Sequence, residues 1–133
     1  MEEVLKIKTD KKMFFMQYLT IKKPYLDLVV SSMLKKEVHI PMKALNVFAL
    51  LLFYNYQYRD MDEETRWKTM FDNKHREEYM SFLNINYSHL NTYFSLLRNY
   101  KMLDGKKINE VFVIYPDKNE FELIFKFSLN GEK

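Results

Sequence analysis

The sequence predicts an α+β fold, mainly helical, that begins on an extended β-prone arm and closes on a C-terminal β-hairpin. Three stretches predict it. The run from Lys74 to Leu103 reads as two short helices around a tight turn, the pattern of a helix-turn-helix. Ala44 to Phe53 is apolar on nearly every side of a helix, the signature of a central buried element. After Leu103, Val111–Tyr115 and Phe121–Phe127 are strand-like runs separated by Pro116-Asp117-Lys118-Asn119, a plausible hairpin loop, and this hairpin would make the helix-turn-helix a winged one.

In chain order, Val4–Lys8 and Met13–Ile21 are β-prone runs around Thr9-Asp10-Lys11-Lys12, and a strand is expected over Phe14–Thr20. Met13, Phe14, Phe15, Met16 and Tyr18 give this arm more apolar surface than a solvated tail carries, so it packs on its own domain or on a neighbour, and packing at home is favoured. Pro24 suits the first turn of a helix running from Tyr25 to Lys36, with Leu26, Val29, Val30, Met33 and Leu34 at helical spacing. Pro41 opens the apolar helix in the same way. From Arg59 to Asp72 the chain turns charged and is expected as a linker or short irregular helix, pinned by Trp67. The carboxylates at 60, 62, 63 and 64 lack the glycine and ligand spacing of a calcium loop, so a solvated acidic segment is expected and no metal.

Lys74–Leu83 is expected as the first helix of the pair, with Tyr79, Phe82 and Leu83 facing inward. Asn84 is among the few residue types that tolerate a left-handed turn, and Asn86 is a good N-cap able to accept from the backbone of Ser88 or His89. Leu90, Phe94 and Leu97 then fall at i, i+4 and i+7, one core-facing stripe. The opposite face carries Tyr87, Ser88, Asn91, Thr92, Ser95 and Arg98, short polar side chains suited to base edges or phosphates. Beyond it, Lys101, Lys106 and Lys107 join Arg98 against Asp104 alone, the best place in the chain for a phosphate contact.

The block HREEYMSFLNINYSHLNTYFSLLRNYKML followed by two strand-like runs resembles the winged helix-turn-helix superfamily, which implies a mainly helical winged helix-turn-helix domain and, in most members, double-stranded DNA binding through a recognition helix, here residues 87–99. More loosely, the helix HIPMKALNVFALLLFYNYQY, an RW-containing charged linker and the pattern LxIxxxxLNxYxxxLR resemble small proteins of tailed bacteriophages, crAss-like phages included. The resemblance implies a phage protein in the host cytoplasm or virion.

Composition sets the remaining bounds. A chain of 133 residues with 47% hydrophobic content is expected as one domain, with residues 1–23 as arm, 24–72 as helical core and linker, and 73–133 as the winged helix-turn-helix. Net charge is +3, mildly basic, which permits nucleic acid without demanding it. No cysteine is present, so disulfides, thiolate metal sites and cysteine nucleophiles are excluded. No secretory leader is expected from Met-Glu-Glu, and the apolar window 44–54 is too short for the roughly 20 residues a bilayer requires. Two glycines remove the glycine-rich phosphate loops, and the three histidines are far apart without helix-spaced partners. The chain is therefore expected to be no enzyme, with no cofactor and no small-molecule substrate. Because the recognition helix carries one cation, Arg98, an alternative stands beside DNA binding: a structural or adaptor module such as a virion component, binding protein partners or itself through the N-terminal arm.

Overall fold

The computed structural model describes residues 2–9, 11–113 and 121–128, the two outer strands by their backbone alone. Described elements run β1 (Glu2–Thr9), α1 (Lys11–Leu34), α2 (Met42–Gln57), α3 (Glu63–Met70), α4 (Asn73–Leu83), α5 (Tyr87–Asn99), β2 (Leu103–Asp104), β3 (Lys107–Ile108) and β4 (Phe121–Ser128), with a 3-10 turn at Glu110–Phe112. The fold is mainly helical, with short antiparallel β pairs.

The helix α2 is the axis. Pro41 sits at its N-cap with φ −59°, and every residue from Val47 to Tyr56 is buried, as are Ala44 and Leu45. Helices α1, α3, α4 and α5 all pack on it. An element buried all round has no solvent face to give it a period, which is why its sequence is an apolar run rather than a stripe.

The arm departs from the expected strand. Residues 11–34 form one continuous helix that carries Pro24 in its interior, so Phe14–Thr20 is helical and Pro24 does not open an element. Phe15, Leu19, Leu26 and Val30, spaced by four, seven and four, are all buried and make one stripe that continues across the proline. Proline removes one backbone donor from the ladder, and the buried contacts on either side carry the helix through that gap. Local β-propensity loses to this tertiary burial. The aromatic surface does pack at home: Phe14 and Phe15 are in the core, and Met16 and Tyr18 pack against it. The helix ends where Lys35 turns left-handed (φ 57°) and the Lys36 N–H donates to the Ser31 carbonyl at 3.2 Å.

The C-terminal hairpin also differs from expectation. Phe121–Ser128 pairs antiparallel with Glu2–Thr9, from Glu2 opposite Ser128 to Thr9 opposite Phe121, while Val111 and Phe112 lie in the 3-10 turn. The expected wing of Val111–Tyr115 against Phe121–Phe127 is therefore replaced by a pairing of the two ends; residues 114–120 lie outside the described residues. The apolar alternation identified β4 as a strand, but a strand's partner is set by topology and leaves no mark on its own sequence. A second, minimal hairpin joins β2 and β3 across Gly105 and Lys106, with Leu103 opposite Ile108. Its Gly105 has φ 63°, and this turn is the one expected at Asp104–Lys107.

Phe15 tests the arm most directly. Phe15→Ala is predicted to lower stability by about 3–5 kcal/mol in urea unfolding, the cost of emptying a fully buried aromatic site. A loss below about 1 kcal/mol would place Phe15 outside the core.

Candidate nucleic-acid interface

The helix pair forms as its caps dictate. Asp72 caps α4 by accepting from the His75 N–H, and Asn86 caps α5 by accepting from the His89 N–H at 2.8 Å. Between them Asn84 is left-handed (φ 53°), and the Ile85 N–H reaches back to the Met80 carbonyl. Ile85 is buried in the turn, and Leu90, Phe94 and Leu97 are buried along α5. Tyr79 is buried and Leu83 packs on the core, but Phe82 is 45% exposed, contrary to the inward placement expected of it. His75, Tyr79 and Leu83 share the stripe at four-residue spacing; Phe82 stands to one side, where the Lys12 ammonium lies over its ring.

The outer face of α5 is uncovered among the described residues. Tyr87, Ser88, Thr92 and Ser95 are exposed, and Asn91, Thr92, Ser95, Leu96 and Asn99 line a shallow groove of about 360 Å³. Two expected contact residues already have structural work. Asn91 is partly buried, its Oδ1 accepting from Arg76 Nη1 at 3.1 Å, while Arg76 also donates to the Phe71 carbonyl and stacks over Phe94. Arg98 is likewise partly buried and donates Nε to the Gly105 carbonyl at 2.9 Å, tying α5 to the β2–β3 turn. The Thr92 hydroxyl donates to the Ser88 carbonyl one turn back.

The four expected phosphate contacts are not equivalent. Lys101 (φ 64°) and Lys106 are exposed next to the turn that Arg98 holds. Lys107 instead forms an ion pair with Glu63 at 2.7 Å, and that hydrogen bond, with the neighbouring charge, raises its ammonium pKa and lowers the Glu63 carboxyl. Glu63 lies some forty residues away and was not legible as a partner. Arg98, Lys101, Lys107, Asp104 and Glu110 line a broad groove of about 710 Å³ beside α5, so both cations and carboxylates face it.

A polar cluster that the sequence did not announce clamps α4 to α2. His75 was expected to have no spaced partner, yet its Nδ1 lies 2.8 Å from Asp72 Oδ1 and its Nε2 lies 2.6 Å from the Tyr58 hydroxyl. Next to it Tyr54 donates to Glu78, and buried Tyr79 donates to the Met70 carbonyl. Burial raises the pKa of Tyr54, Tyr58 and Tyr79, and nearby carboxylates add to it, so these hydroxyls stay protonated. The Asp-His-Tyr order resembles a proton relay, but His75 is 5% exposed and its partners are spent on joining helices. Among the described residues no group of three or more His, Cys, Asp or Glu side chains is placed to hold a metal, and no helix is long and apolar enough to cross a membrane.

Asp72 links this clamp to pH. Burial acts to raise its carboxyl, and the hydrogen bonds from the His75 backbone and ring, with the charges of His75 and Lys74, outweigh it, leaving the pKa below its ordinary value. A depressed folded-state pKa means that the contribution is present above the unfolded value of about 3.9 and is lost as pH falls through the folded value. The gap in urea midpoint between wild type and Asp72→Asn is predicted to close as pH drops from about 6 to below about 3. A gap that holds constant over that range would remove Asp72 from the acid response.

The chain matches no family model, and no curated protein or solved structure shows significant similarity to it.

Proposed function

We propose that this chain is a non-enzymatic, phage-encoded DNA-binding protein that uses α5 as the recognition helix of a reduced winged helix-turn-helix. The observation that carries the reading is the outer face of α5: polar, uncovered among the described residues, and fixed by two capped helix starts and a left-handed turn. Ser88, Thr92 and Ser95 offer short hydroxyls to base edges in a major groove, with Tyr87 at the helix start. Asn91 is positioned by Arg76 through its Oδ1, which leaves the amide nitrogen to donate to a base edge. Lys101 and Lys106 supply the phosphate contacts, and Arg98 orients the turn between them. The β2–β3 hairpin stands directly after α5, where a wing stands, and carries Lys106 at its tip.

A second reading, a protein-binding adaptor, is favoured by one observation. Ile21, Tyr25 and Leu28, at i, i+4 and i+7 on α1, are 41, 63 and 69% exposed. This stripe, rather than the buried aromatics of Phe14 and Phe15, is the surface on which a virion or adaptor role rests.

Salt dependence separates the two. Binding to a mixed-sequence duplex is predicted to weaken steeply with salt, and Lys101→Ala with Lys106→Ala to reduce the slope of log K against log salt by about 1.8, two phosphates at roughly 0.9 each. Glu63→Gln, which releases Lys107, is predicted to tighten binding and steepen that slope by about 0.9. No duplex binding at low salt overturns the reading and moves the function to the α1 stripe.

A further inference from the structure

The exposed stripe of α1 does not end at its own three residues. Tyr25, between Ile21 and Leu28 on that face, also lines a groove of about 170 Å³ where α1 meets the 3-10 turn Glu110–Phe112. Leu19, Leu26 and Phe112 are buried beneath the groove, and Val111, 70% exposed, stands with Tyr25 at its rim. Stripe and groove therefore form one apolar surface that joins a ridge to a hollow. Small-molecule cavities begin at roughly 300 Å³, so this hollow suits one bulky side chain rather than a free ligand. A ridge at i, i+4 and i+7 beside a hollow for one anchor is what an amphipathic helix recognises.

The charges around this surface narrow what covers it. Of the described residues that line the groove, Lys22 alone is charged; it is exposed, and its ammonium lies over the Tyr18 ring at 6.0 Å. Lys35 and Lys36 are exposed at the end of α1, and none of these three lysines has an ion pair among the described residues. The carboxylates nearby are engaged or turned away. Asp27 accepts from Lys23 at 2.7 Å and from the Ile40 N–H at 2.9 Å, Glu37 lies 3.1 Å from His39, and Glu110 lines the grooves on the side of Lys107. The surface is thus apolar with a positive border. In a two-fold contact between copies the same lysines would border both halves, and α1 has no unengaged carboxylate to answer them.

We propose that this face of α1 docks an acidic amphipathic helix of a protein partner, its apolar stripe on Ile21, Tyr25 and Leu28, one bulky side chain in the groove over Phe112, and its flanking carboxylates on Lys22 and Lys35. The proposal deepens the protein-binding reading of α1 given above by naming the chemistry of the partner, and it uses no residue of α5. Apolar burial supplies the attachment, and the lysines select acidic helices over basic ones.

The full chain is titrated into two fluorescein-labelled synthetic helices of about 18 residues, long enough to be helical, that share a stripe of leucines with one phenylalanine and differ only in carrying Glu or Lys beside it. The Glu peptide is expected to raise the anisotropy saturably and to bind at least about tenfold tighter than the Lys peptide at low salt. Leu28→Asp, at a position 69% exposed, is expected to weaken the Glu peptide by about tenfold or more with the helical circular dichroism unchanged. Lys22→Glu with Lys35→Glu is expected to reverse the preference between the peptides. Equal binding of both peptides, lost in Leu28→Asp, overturns the acidic partner and leaves α1 a protein-binding face; binding of neither overturns that reading as well, while duplex binding through α5 is untouched by either result. Dimerisation of the chain in sedimentation, or retention on phosphatidylglycerol vesicles, lost in Leu28→Asp and without binding of the Glu peptide, overturns the proposal in favour of a second copy or a lipid surface.

Discussion

Burial of α2 on every side is the constraint on which the rest of the molecule depends. A helix with no solvent face requires four neighbours, and α1, α3, α4 and α5 are those neighbours. Polar groups that enter this interior must then find partners within it. Tyr54 reaches Glu78, Tyr58 reaches His75, and Asn55 reaches Arg66, so the tyrosine-rich end of α2 is stitched to α3 and α4 by hydrogen bonds rather than by apolar contact alone. The angle at which α4 arrives fixes where its turn ends, and with it the direction of α5.

The outer face of α5 is then a consequence of the inner one. Leu90, Phe94 and Leu97 bind the helix to the core with Tyr93 and Leu96 packed at its edge, and helical spacing leaves Ser88, Thr92 and Ser95 facing out. Capping sets how accurately that face is presented: Asp72, Asn84 and Asn86 each satisfy backbone groups at a helix end, and the Arg98 contact to the Gly105 carbonyl holds the far end against the hairpin. The charge at this surface is modest because it is partly spent. Lys107 is exposed but bound to Glu63, leaving Lys101 and Lys106 as the exposed cations of the segment without an ion pair among the described residues. Contact with a phosphate backbone through so few charges means weak affinity and reliance on hydroxyl contacts for any sequence preference.

Much of this was legible in the residues, and the parts that were not share a cause. Helices α2, α4 and α5 and the turn between the last two follow from local rules, because the signals (Pro41, Asn84, Asn86 and the 90/94/97 stripe) act within a few residues of one another. The misread elements depended on distant partners. Met13–Ile21 looks like a strand until the buried stripe is followed past Pro24 to Val30, and β4 looks like half of a local hairpin because nothing in its sequence names β1. The site shows the same division: the exposed hydroxyl face follows from helical spacing, whereas the pairing of Lys107 with Glu63 and of Asn91 with Arg76 joins residues far apart in sequence. Asn55 could have been noticed as an amide between two tyrosines near the end of an apolar helix; its burial and its pairing with Arg66 required the fold.

The account rests on α5 being the face that meets the partner. Amide chemical shifts followed while a short mixed-sequence duplex is titrated into the labelled protein test this residue by residue. The prediction is that perturbations concentrate at Tyr87, Ser88, Thr92, Ser95 and the Arg98–Lys106 segment and leave the α1 stripe of Ile21, Tyr25 and Leu28 unmoved. Perturbations centred on α1, or none at low salt, would contradict it.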